Sequence, residues 1–353
     1  MSTLRNLWSP NEWGRLREII IGSPRNAFVD SYTDISIQCA YRPTPETSAK
    51  QIQQKMPQSI IDDTLEDIDN LTKVLQSFDV TVHHAEDFDF TNTIKSNDWE
   101  VYQESGLNLR DLTLILGDLV IDCPSATRCR HFESLNVRPF FIEYIRNNDH
   151  AWIVSAPKPR LLDSCYDLQA DRGIHEVEPI FDAANCVRLG KDIIIDINNT
   201  ANRFGVKWLQ QTLDIYYGNG KIKVHPLDKL SPDHLDVVLI PLCEGTVLVS
   251  PEYVTKDNLP EIFRSWDVIW PPEIVPQSYS IGAPKASNWI GLNALIIDGD
   301  EKTLLIDAAQ VELIRTLERK HFRPIPVAWR HGRDWTGGLH CVTLDVHREG
   351  ELF

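Results

Sequence analysis

Residues able to do chemistry recur in this 353-residue chain at comparable places, each at or just before a run of β-forming residues. Arg110-Asp111 precedes LTLILGDLVID, and Phe181-Asp182-Ala-Ala-Asn185 precedes VRLGKDIIIDI. His234-Leu-Asp236 precedes VVLIPLCEGTVLVS, Ser287-Asn288 precedes ALIIDGDEKTLLID, and Gly337-Gly338-Leu339-His340-Cys341 opens the last strand. A thiolate is a strong nucleophile, imidazole titrates near neutrality, and a carboxylate can orient that imidazole or hold a cation. Brought together, the set suits nucleophilic catalysis on a small substrate. Each member alone has a plainer reading. Cys341 reads as a buried core thiol, although two preceding glycines admit close approach of backbone or ligand. His234 reads as a surface or capping histidine, Asp182 as a turn cap, and Asp111 as half of an exposed ion pair with Arg110.

The elements that must position these residues follow one pattern. The four runs above each read as a β-hairpin, from β-branched content around a turn with Gly or Asp. Helical periodicity lies between them. Ser59 precedes Ile60, Ile61, Leu65, Ile68, Leu71, Val74 and Leu75 as an N-cap, and 203–216 and 311–321 carry apolar residues at helical spacing. CVTLDV at 341–346 and LREIIIG at 16–22 supply a fifth unit that pairs the two ends of the chain. Five hairpin-plus-helix units would close a ring whose strand entries face a common axis. No low-complexity linker divides the chain, so residues 1–353 read as one domain. An open α/β fold is the competing architecture, and no G-x-G-x-x-G turn supports it.

Composition narrows the partners. Lys plus Arg number 35 against 51 Asp plus Glu, a formal charge of −16, which disfavours binding to a phosphate backbone and suits small cationic or neutral substrates. No stretch approaches the roughly 20 apolar residues of a membrane span. The first residues lack a signal-peptide layout, so a cytoplasmic location is expected. Seven scattered cysteines with no C-x-x-C pair form neither a disulfide framework nor a zinc site.

In order, RD, D-A-A-x, H-x-D and G-G-x-H-C resemble the motifs of the guanidino-group-modifying superfamily. The chain is most similar to the amidinotransferases, the family of glycine amidinotransferase and inosamine-phosphate amidinotransferase. The resemblance runs from Asn11-Glu12-Trp13 and LREIIIGSP through FDAANCVRLGKDIII to GGLHCVTLDVHREG. It implies an α/β fold, a five-bladed α/β-propeller (pentein) of ββαβ-type modules. It implies Cys341 as nucleophile, His234 as general acid/base and Asp182 as its orienting carboxylate. Asp111 and Asp236 would grip the guanidinium, with Ser287 and Asn288 in a segment that contacts substrate. Arginine would pass its amidino group to Cys341, releasing ornithine, and an acceptor amine would then take it in a ping-pong cycle. No metal or organic cofactor is implied, and a homodimer is expected from the relatives.

Two departures bear on the acceptor. Glycine-specific members carry Asn-Pro-Met before H-x-D, where this chain has Ser231-Pro232-Asp233, and an arginine where it has Tyr253. Asp233 would suit a cationic acceptor better than one bearing a carboxylate, since like charges resist each other. The expectation is a secondary-metabolite amidinotransferase of the saxitoxin, cylindrospermopsin or streptomycin type. Asp233 as a simple turn former stands beside that reading. A glycine acceptor, an arginine deiminase or dihydrolase in which water resolves the intermediate, and a non-catalytic propeller are the competing functions. Asn185 is expected to give support rather than chemistry, and Arg330, eleven residues before Cys341, is assigned no role.

Overall fold

The computed structural model describes residues 7–44, 51–147, 152–231, 233–281, 285 and 287–353, so Pro232 and the first six residues lie outside it. Five three-stranded sheets share one topology, an antiparallel pair whose middle strand also pairs in parallel with a third strand. The expected hairpins form as Thr113–Leu116 with Leu119–Asp122, Cys186–Leu189 with Asp192–Ile197, Leu239–Cys243 with Thr246–Val249, and Leu295–Asp298 with Thr303–Asp307. Leu16–Ile21 pairs antiparallel with Thr343–Arg348, tying the two ends of the chain together. The third strands are Thr81–His84, Trp152–Ser155, Lys223–Asp228, Asp267–Ile269 and Arg323–Val327.

α-Helices precede four of those third strands: Gln58–Ser77, Arg138–Asn147, Arg203–Tyr217 and Val311–Arg319. In the sheet that contains Asp267–Ile269, the connection holds only the short 3₁₀ turn Glu261–Phe263. Five hairpin-plus-helix units are therefore not what forms. Pro251 and Pro260 interrupt that connection, and proline inside a helix loses a hydrogen bond and clashes with the preceding turn. A second correction concerns the Gln58–Ser77 helix. It begins after Pro57, which makes no side-chain cap, so Ser59 sits inside the first turn. Proline has a backbone angle already suited to a helix start and sets the boundary two residues earlier. The apolar stripe is as expected, with Ile60, Ile61, Ile68, Leu71 and Leu75 buried against Leu16, Ile19 and Ile21.

Each of four hairpins is entered through a single 3₁₀ turn: Leu109–Asp111, Ala183–Asn185, Leu235–Val237 and Asn288–Leu292. Successive turns touch one another, and the Leu109–Asp111 turn also touches the strand Thr343–Arg348. The repeated turn is thus the device that carries polar side chains inward.

A buried ionic hub lies beside these turns. Arg188 grips Glu12 in two places (2.8 and 2.7 Å), reaches Asp345 at 2.9 Å and donates to the Ile115 carbonyl at 2.8 Å. Arg348 joins Asp345 at 2.8 Å and the carbonyls of Gly14 and Ile296 at 2.8 and 2.9 Å. Arg110 pairs with Asp345 and donates to the carbonyls of His340 and Thr343 at 2.9 and 3.0 Å. Burial alone would raise the Asp345 carboxyl, but Arg110, Arg188 and Arg348 hold it well below the usual range. Four sheets meet through these charges. No described helix is long and apolar enough to cross a membrane.

Candidate active site

Asp182 and His234 occupy equivalent positions, each in extended backbone immediately before its 3₁₀ turn. That repeat brings His234 Nε2 to 3.1 Å from Asp182 Oδ2, both side chains buried. The second oxygen of Asp182 accepts the Ala126 N–H at 3.3 Å, which fixes the carboxylate plane. On the other side of the ring, Nδ1 lies 3.8 Å from Asp111 Oδ2. Burial would depress the His234 pKa, yet Asp111 and Asp182 on either side push it up to about 10. The imidazole is therefore protonated at neutral pH.

Cys341 is buried, and its Sγ lies 3.5 Å from Asp236 Oδ2. Burial, then the charges of Asp236 and Asp111, push the thiol well above its ordinary value. The same Asp236 oxygen accepts from His340 Nδ1 at 2.8 Å and from Asn293 Nδ2 at 3.0 Å. Asn293 Oδ1 in turn accepts the backbone N–H groups of His340 and Cys341 at 2.9 and 3.0 Å. Asn293 thus pins both the thiol's backbone and its neighbouring carboxylate. The paired glycines make this approach feasible: a Cβ on Gly337 would sit 2.1 Å from Asn108 Oδ1, and one on Gly338 2.6 Å from the Asn293 side chain.

Arg110 and Asp111 do not form the exposed ion pair of the plainer reading. Both are buried; Arg110 goes to Asp345, whereas Asp111 Oδ2 takes Arg130 Nη1 at 2.7 Å. Neighbours in a 3₁₀ turn point about 120° apart, so the two side chains serve different sides of the turn. Burial raises the Asp111 pKa, and His234 and Arg130 offset part of that shift. For Asp236 burial also raises, but the His340 hydrogen bond and charge leave it lowered overall. One oxygen of each carboxylate, Asp111 Oδ1 and Asp236 Oδ1, is buried without a hydrogen-bond partner. Two such acceptors beside a thiol and an imidazole can receive the N–H groups of a planar cation.

Asp233 adjoins the site. Its Oδ1 accepts the His234 N–H at 2.8 Å, the local bond a turn former makes, and burial raises its pKa. Tyr253 meets Ser287 at 3.3 Å through their hydroxyls, and Ser287 also accepts the Trp289 N–H at 3.1 Å. Asn288 is exposed at the start of its turn. The polar group this segment sends to Cys341 is Asn293. Asn185 stays in support, bonded to Thr200 and Asn198 at 2.7 and 2.8 Å. Arg330 clips the Gln58–Ser77 helix through Asp67 at 2.9 Å and Glu66 at 2.7 Å.

No family model matches the chain. It is 32% identical over 354 residues to an L-arginine:L-lysine amidinotransferase from Pseudomonas savastanoi pv. phaseolicola, covering 98% of this chain and 95% of that protein. The solved inosamine-phosphate amidinotransferase of Streptomyces griseus superposes with a TM-score of 0.92 at 34% identity, covering 99% of both chains. This chain belongs to the amidinotransferase family. A saxitoxin-pathway amidinotransferase from Microseira wollei superposes at 0.86 with 30% identity and 98% of both chains covered. The protein is thus a transferase with the α/β fold of the amidinotransferases. Sequence reasoning passed over the residues that hold this amidinotransferase's site in shape: Glu12, Arg130, Arg188, Asn293 and His340. Glu12, Arg188 and His340 stand inside motifs quoted for the resemblance, which was the available signal.

Proposed function

We propose that this amidinotransferase takes the amidino group of L-arginine onto Cys341, releases L-ornithine, and delivers the group to an acceptor amine other than glycine. The observation that carries this reading is the pair of partnerless buried oxygens on Asp111 and Asp236, set beside the Cys341 thiol and the His234–Asp182 pair. A guanidinium carbon is a poor electrophile, so a thiolate and a fixed approach are both needed. Binding of the cation between Asp111 and Asp236 offsets the charges that hold the thiol proton, which then leaves to solvent. The sulfur attacks the carbon. As the C–N bond breaks, His234 gives its proton to the departing ornithine nitrogen, and a cationic amidino-cysteine remains. A neutral acceptor amine attacks the same carbon while His234 takes the proton from the attacking nitrogen; the C–S bond breaks and the thiolate returns. Asp182 holds the imidazole in place and stabilises its charged form.

The five sheets are read as blades of a propeller, supported by the shared topology and the successive contacts of their entry turns, with residues 1–353 acting as one domain. For the acceptor, Asp233 and Tyr253 favour a cationic amine of secondary metabolism. The lysine named as substrate of one relative carries a side-chain ammonium of this kind, together with a carboxylate that Asp233 would resist. Incubation with arginine and a panel of amines, scored by mass spectrometry, should give ornithine and one amidinated amine. Citrulline and ammonia formed without any acceptor would contradict transfer. Asp233→Asn should shift preference away from a dicationic amine toward glycine; an unchanged preference would remove the selectivity argument.

A further inference from the structure

The geometry points to Arg130 and His340 as positioning residues, each locking one clamp carboxylate so that its other oxygen faces the donor's guanidinium. This rests on the proposed roles of Asp111 and Asp236 in binding the guanidinium. The two carboxylates are built alike. Arg130 Nη1 holds Asp111 Oδ2 at 2.7 Å and is itself fixed by Glu133 at 2.8 Å and the Asn108 carbonyl at 3.2 Å. His340 Nδ1 holds Asp236 Oδ2 at 2.8 Å, with Nε2 on the far side 3.4 Å from Glu12 Oε2. In both cases Oδ2 is committed and Oδ1 is buried and unpaired.

A carboxylate free to rotate about its last bond would turn to satisfy both oxygens or spread its charge between positions. A donor on one oxygen removes that freedom, so the open acceptor is oriented before the cation arrives. His340 is itself aligned, because Arg110 donates to its carbonyl at 2.9 Å and Asn293 accepts its N–H at 2.9 Å. The chain Glu12–His340–Asp236 thereby connects the ionic hub to the clamp.

Two variants of His340 separate this role from simple structural support. An asparagine amide can occupy the place of Nδ1 and reach Asp236, whereas a glutamine amide reaches toward Glu12 in the place of Nε2. Binding of L-arginine is measured by calorimetry in Cys341→Ser protein, which holds the site without turnover, from pH 5 to 8. His340→Asn should bind within about threefold of the parent, and His340→Gln about tenfold more weakly, the scale of one lost hydrogen bond to a charged group. Asp236 is faced by His340, Asn293 and the Cys341 side chain, with the charges of His234, Asp111 and Asp233 nearby. Both variants lose the His340 charge, but only the Gln variant also loses the hydrogen bond to Asp236, so the pH below which arginine binding fails should rise further in His340→Gln than in His340→Asn. Arg130→Lys, which keeps the charge and loses the fork, should also weaken binding. Equal losses in the Asn and Gln variants, or none in either, would overturn the positioning role. Failure of the Cys341→Ser parent to bind arginine would overturn the donor reading, and this inference with it.

Discussion

At the scale of single residues, the proposed chemistry depends on two carboxylates holding a proton on His234 that its burial would otherwise expel. Because Asp111 and Asp182 raise its pKa to about 10, the acid form that the proposed release of ornithine requires is present below that pH and lost above it. Asp182→Asn should lower kcat by about a hundredfold or more and move the basic limb of the kcat profile to lower pH. A profile unchanged in position would remove Asp182 from that role. The residues proposed to react were legible as candidates in the sequence, because thiol, imidazole and carboxylate stand at repeated strand entries in recognisable motifs. Their supports were not. Arg130 and Asn293 belong to types common on any surface, and only folding shows that Arg130 is buried against Asp111 or that Asn293 caps the Cys341 backbone.

Among elements, the four hairpins and the pairing of the chain ends followed from β-branched runs and turn residues. Two of the third strands escaped such a reading for a physical reason. KVHPLD and RPIPV contain proline, which argues against a strand, yet both lie at sheet edges where a missing N–H is tolerated. The shared 3₁₀ entry turn was also invisible, having no strong sequence signature. Gly338→Ala tests the close approach of the last strand's entry to Asn293. Its Cβ would press on Asn293, so the variant should lose about 1–3 kcal/mol of stability together with activity, read by thermal melting and turnover. Asn202 caps the Arg203–Tyr217 helix by accepting the Gly205 N–H at 2.8 Å. Asn202→Ala should cost about 0.5–2 kcal/mol in urea unfolding. Because Asn202 also donates to the carbonyls of His175 and Glu178, the upper part of that range is expected.

At the scale of the whole molecule, Glu12, Arg110, Arg188, Asp345 and Arg348 join distant segments through buried charge. Removing one partner leaves the others uncompensated, so Arg188→Met should destabilise by about 3–5 kcal/mol in equilibrium unfolding. Glu12 and Asp345 have folded pKa values held well below their unfolded values. Their contribution is full above the unfolded carboxylate range, roughly pH 4, and is lost as pH falls through the lowered values. Midpoint denaturant concentration should therefore drop steeply on acidification in the parent and less steeply in Arg188→Met. The acidic excess of the chain, −16 overall, says little about the pocket, since the acids that matter there are the few that fold inward. What the assembled molecule does with them is tested most directly by mixing it with arginine labelled in the guanidino carbon, quenching in acid and mapping the label by peptide mass spectrometry. The account predicts one amidino group on Cys341, chased off by an acceptor amine into a labelled guanidine and absent in Cys341→Ala. Label that reaches products in the Cys341→Ala protein, or rests on another residue, would contradict it.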